Sequence, residues 1–138
     1  MSDETFEPNE QHDFDSDPES GVEEHDALGG STIMHSERFA IGIDLGGTNI
    51  QAGVVNQAGE VLGRAKIRTE ADKGFEKVMD RVAAAARDAC EEAGVKMSMI
   101  HTAGIGVPGP IDPDKGIVVE AVNLRWNKAP VVIALSDR

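Results

Sequence analysis

The chain has 138 residues, enough for one small domain with a core, and carries a formal net charge of −12. The acidity is confined to one end: residues 1–38 carry −11 and residues 39–138 carry −1, so neither part offers the basic surface that nucleic acid requires. No stretch has the apolar length of a membrane span, the start lacks a signal-peptide pattern, and the single cysteine, Cys90, excludes an internal disulfide framework and fits a reducing cytoplasm.

Residues 1–36 read as a disordered acidic tail, and residues 37–138 as the folded part. The tail is dense in Asp, Glu, Ser and Pro, and its scattered apolar residues (Phe6, Phe14, Val22, Leu28) cannot offset the entropy of ordering. Gly29-Gly30-Ser31-Thr32 resembles a flexible joint. His12, His25 and His35 are spaced too irregularly to suggest a metal site. Ser16 and Ser20 lie among acids where phosphorylation is conceivable, but a solubilising extension is the favoured reading. Met34 stands just before the first strand and offers a second candidate start.

Phe39–Leu45 is short, apolar and β-competent, and then becomes the turn Asp44-Leu45-Gly46-Gly47-Thr48-Asn49. The two glycines allow positive φ and remove Cβ atoms that would block a close visitor. Converging N–H groups in such a turn suit phosphate oxygens, and Thr48 and Asn49 can donate to the same oxygens. Asp44 beside such a cradle suits a magnesium ion held between carboxylate and phosphate. An ordinary hairpin turn has the same composition. Ile50–Asn56 continues directly as a second strand. The turn is therefore neither a Walker A loop nor a dinucleotide-binding loop, both of which lead into a helix.

A third strand is expected over Glu60–Thr69, with Val61, Gly63, Ala65 and Ile67 on one face and Leu62, Arg64, Lys66 and Arg68 on the other. The three strands form an antiparallel meander. Gly74–Ala93 follows as an amphipathic helix with an apolar stripe from Phe75 to Ala93, ended by Gly94. Cys90 lies near that stripe as a small buried hydrophobe. After a link over Val95–Ile100, His101–Val107 is a fourth strand, parallel to the first because a helix intervenes. It ends in Gly106-Val107-Pro108-Gly109-Pro110-Ile111-Asp112, a rigid bend whose glycine permits close backbone approach. In open α/β sheets ligands collect beyond the carboxyl ends of strands, where this loop and Asp44 both belong. Asp112 and Asp114 belong first to the turn Asp-Pro-Asp-Lys-Gly. Gly116–Val122 reads as a further short strand. Pro130 starts a helix, with Val131, Ile133 and Leu135 as its apolar positions.

Two segments carry a resemblance. Ile41-Gly42-Ile43-Asp44-Leu45-Gly46-Gly47-Thr48-Asn49 with Ala52-Gly53-Val54-Val55, and Gly104-Ile105-Gly106-Val107-Pro108-Gly109-Pro110-Ile111-Asp112, resemble the ROK family of sugar kinases and related repressors. The resemblance implies an α/β, ribonuclease-H-like fold of the actin, Hsp70 and sugar kinase superfamily. It further implies an ATP- and magnesium-dependent transfer of phosphate to a hexose, glucose by default, in a glucokinase-like reaction. Asp44 would hold hydrated magnesium, and Gly46, Gly47, Thr48 and Asn49 would cradle the phosphates. Pro108, Gly109 and Asn123 would border the sugar. Relatives often carry a further residue, commonly Gly, before the Trp. Asn123-Leu124-Arg125-Trp126 departs from that pattern, and Trp126 is read as packing. The family's catalytic Asp, its Glu and His sugar ligands, its zinc motif and its adenosine-binding glycines would follow Arg138. The chain is therefore expected to be the N-terminal part of a kinase, truncated and inactive alone, whose full-length form is a homo-oligomer with neither nucleic-acid nor membrane partners. A sugar-responsive repressor, which would carry a basic helix-turn-helix before this domain, and an inactive relic are the alternatives.

Overall fold

The structure, a computed structural model, describes residues 37–138. The tail assigned to residues 1–36, with its histidines, serines and glycine joint, lies outside the described residues.

The meander forms as expected. β1 (Phe39–Leu45), β2 (Asn49–Val55) and β3 (Val61–Arg68) pair antiparallel in chain order, and β4 (Ile100–Gly106) runs parallel to β1, giving the order β3-β2-β1-β4. Between β3 and β4 the chain crosses one face of this sheet as α1 (Phe75–Ala93). Alternation along the strands decides which face it covers. Phe39, Ile41, Ile43 and Leu45 of β1 and Ile50, Ala52 and Val54 of β2 are buried, while Gly42, Asp44 and Gln51 face outward and are exposed. Val78, Met79, Val82, Ala85, Ala89 and Cys90 fill the helix side of that core. Burying a Val or Met side chain contributes roughly 1.5–3 kcal/mol before entropy is counted. At Gly63 the helix lies so close that any Cβ would collide with the backbone of Ala89 and Ala93. Gly94, in the left-handed conformation, ends α1 as expected. Glu92 reaches round the outer edge of β3 to accept the Arg64 N–H at 2.7 Å, which blunts that edge.

The structure corrects the boundaries. Val61 is 43% exposed instead of facing inward, because the β2–β3 register shifts beside Val55 and pairs Val55 with Val61. The third strand stops at Arg68, one residue short of Thr69. The link to β4 contains a turn of 3-10 helix at Met97–Met99, and β4 begins at Ile100 and ends before Val107.

A second sheet was not expected. β5 (Ile111–Asp112), β6 (Ile117–Ala121) and β7 (Trp126–Ala129) form an antiparallel sheet in that order, and β7 had no strand signal in the sequence. Asp112 serves the turn, its Oδ1 accepting the Lys115 N–H at 3.2 Å. α2 (Val131–Ser136) follows Pro130, but Ile133 is 62% exposed and the buried positions are Val131 and Ala134. Helical spacing of three replaces the alternation read from the sequence. Trp126 is buried as expected and meets Phe75 of α1 edge to face, ring centroids 4.9 Å apart, so β7 packs onto the start of α1. Arg138 ties α2 to α1 through Asp80 at 2.8 Å and Glu76 at 2.5 Å, and these hydrogen bonds raise its pKa.

Candidate functional site

The site is assembled where β1 and β4 end together. Asp44 lies opposite Gln51 of β2 and Gly106 of β4, on the exposed face of the sheet. Its Oδ1 is 4.0 Å from the point where a Cβ on Gly106 would stand, so the carboxylate flanks the start of the proline loop. Two segments about 60 residues apart in sequence thus meet at one strand end, as the parallel pairing of β1 and β4 requires.

Beyond Asp44, the Gly46 N–H donates to the Asn49 carbonyl at 2.9 Å and closes the turn over Gly47 and Thr48. The glycines serve this turn differently from the sequence reading. Among the described glycines positive φ occurs at Gly59, Gly74, Gly94 and Gly116, and not at Gly46 or Gly47. Space is the reason instead. A Cβ on Gly46 would stand 2.8 Å from the Asn49 carbonyl oxygen, and one on Gly47 would stand 3.1 Å from the Cβ of Asn123. Thr48 is exposed and Asn49 half-buried.

Thr69 had no role in the sequence reading. It is fully buried, its hydroxyl donates to the Gly46 carbonyl at 2.7 Å, and its N–H donates to the Thr48 carbonyl at 2.8 Å. One residue therefore ties two carbonyls of the turn to the end of β3. A short β-branched polar residue closing an alternating strand was the signal available in the sequence.

The proline loop is tied in a parallel way. Gly109 packs so closely on β6 that a Cβ there would overlap the Glu120 carbonyl. The close approach expected at this glycine is therefore to the protein's own backbone. The Val119 N–H donates to the Pro110 carbonyl at 2.8 Å, and Pro108 is half-buried. From Glu120 the chain runs through a single 3-10 turn, Val122–Leu124, that presents Asn123 to Gly47. The proline loop, β6 and the glycine turn are thus linked by contact, and Asp44, Gly46, Gly47, Thr48, Asn49 and Asn123 gather at one end of the sheet. Among the described residues no group of three His, Cys, Asp or Glu could hold a metal ion, so a cation at Asp44 would need ligand oxygens from elsewhere. Burial raises the pKa of the Cys90 thiol, which is no nucleophile here.

A sequence profile of the ROK family matches residues 40–138. The chain is 30% identical over 102 residues to a glucokinase of Halalkalibacterium halodurans, covering 74% of this chain and 31% of that protein. It is 32% identical over 91 residues to a xylose repressor of Caldicellulosiruptor bescii, covering 66% of this chain and 23% of the repressor. Among solved structures, a ROK family glucokinase from Streptomyces griseus in complex with glucose and AMPPNP superposes with a TM-score of 0.64 at 33% identity, over 72% of this chain and 30% of that one. The chain therefore spans less than a third of the length of these relatives, and over that span it has the fold of ROK sugar kinases.

Proposed function

The chain belongs to the ROK family, and from that premise we propose that it is the phosphate-binding part of an ATP-dependent hexose kinase of the glucokinase type, acting in the cytoplasm. The observation that supports this reading is Asp44 at the mouth of β1 beside a turn whose Gly46 and Thr48 carbonyls are both engaged by Thr69. Those two hydrogen bonds turn the Gly46 and Thr48 carbonyl oxygens towards Thr69 and fix the turn beside Asp44. Gly46, Gly47, Thr48 and Asn49 would hold the donor phosphates, and Asp44 would hold magnesium through its water shell. Bound magnesium neutralises charge on the phosphoryl group under transfer. Pro108, Gly109 and Asn123 border the sugar side, glucose being the substrate bound in the Streptomyces griseus relative.

The test is binding of AMPPNP or tripolyphosphate to the 138-residue chain with and without magnesium, followed by NMR. Asp44→Ala should leave the fold intact and weaken magnesium-dependent binding roughly 10–100-fold, the usual effect of losing a group that orients a metal's inner ligands. An unchanged affinity would remove Asp44 from the metal role. No triphosphate binding under any condition would move the chain towards the repressor class represented by the xylose repressor.

A further inference from the structure

Asn123 is placed by burial, yet is itself exposed. Its neighbours fix it: Leu124 is 1% exposed, Ala121 is 1% exposed, and Trp126 is locked against Phe75. Arg125, in the left-handed conformation, turns the chain sharply between Leu124 and β7. Between these anchors the Asn123 side chain is left at the surface and directed at the glycine turn. Measured from the point where a Cβ on Gly47 would stand, its Cβ is 3.1 Å away, its Cγ 3.7 Å and its Nδ2 3.8 Å. The carboxamide therefore flanks the glycine turn at Gly47, beside whatever group the turn holds.

We propose that Asn123 belongs to the phosphate cradle, its Nδ2–H donating to the phosphoryl group held at the glycine turn. This rests on the reading of that turn as the phosphate site, and it moves Asn123 from the sugar side to the donor side. The chemistry suits the place. A carboxamide supplies two N–H donors without adding charge, and a donor bonded to an anion makes a stronger hydrogen bond than one between neutral groups. Because Asn123 follows β6, on which Gly109 rests, it also links the proline loop to the phosphate turn through two or three residues of backbone.

The experiment uses magnesium tripolyphosphate and the 138-residue chain, with no sugar present, so that a purely sugar-side role has nothing to report. Asn123→Ala should weaken tripolyphosphate binding roughly ten-fold or more. Asn123→Asp keeps the shape, removes the donor and adds repulsion, so it should weaken binding further. The side-chain amide resonances of Asn123 should shift on titration. Both variants should unfold at the wild-type temperature, since the side chain is exposed. If both bind tripolyphosphate as wild type does while Asp44→Ala binds it poorly, Asn123 has no place in the cradle and the proposal falls alone. If the wild-type chain binds no tripolyphosphate, the phosphate reading of the turn falls and this proposal with it.

Discussion

The hydroxyl of Thr69 donates a 2.7 Å hydrogen bond to the carbonyl of Gly46, across 23 residues of sequence, and joins the end of β3 to the mouth of the glycine turn. Thr69 is fully buried and Gly46 half-buried, so water makes up for that bond only in part if the hydroxyl is removed. Thr69→Val keeps the shape and leaves the Gly46 carbonyl without its partner, which should cost about 1–3 kcal/mol. Urea unfolding measures the loss, and amide exchange at Gly46 and Asn49 should quicken with it. Stability equal to wild type would mean that the turn does not depend on Thr69.

Gly47→Ala should destabilise through Asn123 and not through backbone strain. The new Cβ would stand 3.1 Å from the Cβ of Asn123, tighter than ordinary contact, at a cost of about 1 kcal/mol or more. Asn123→Gly removes the obstacle, so the double variant should recover most of the loss in a double-mutant cycle. Strict additivity would show that the two residues do not touch. Gly109→Ala should be worse than Gly47→Ala, because its obstacle is the Glu120 backbone and no side chain can yield.

Cys90 sets a pH dependence on the alkaline side. Burial raises its pKa, so in the folded chain the thiol keeps its proton at pH values where the unfolded chain loses it. Its contribution to stability is whole below the unfolded thiol's pKa, about 8.5, and is lost as pH rises through the higher folded value. The unfolding midpoint should therefore fall above about pH 8.5, and fall less in Cys90→Ala when each variant is compared with its own neutral value. A thiol reagent at neutral pH should react slowly until denaturant is added.

Among the described residues β4 is an edge strand, and Ile100–Gly106 contains no Lys, Glu, Asp or Pro to discourage pairing. Thr102, Ala103 and Gly104 are exposed on it. The purified 138-residue chain should therefore self-associate at micromolar concentration, as an unprotected edge invites. Light scattering reports the mass, and Thr102→Lys should shift the chain towards monomer. A monomeric wild-type chain would show that this edge is already protected.

The sequence alone was enough for the meander, the crossover helix and the parallel fourth strand. Each rests on a local period, two for Ile41, Ile43 and Leu45, and about 3.6 for Val78, Val82, Ala85 and Ala89, and neighbouring residues carry that signal wherever they end up. It also located Asp44 and the glycine turn, because a turn between two strands needs its own residue types in one run. What the glycines were for was decided only by the tertiary structure. Conformational freedom is a local property, and it suggested positive φ at Gly46 and Gly47. The actual constraint on Gly47 is Asn123, 76 residues away, and that on Gly109 is Glu120 on another strand. Thr69, β7 and the exposure of Ile133 escaped the sequence for the same reason. A hydroxyl earns its partner, a four-residue strand its neighbour and a helical residue its covered face only when distant segments are packed, and no period within Trp126–Ala129 or Val131–Leu135 encodes which segment arrives.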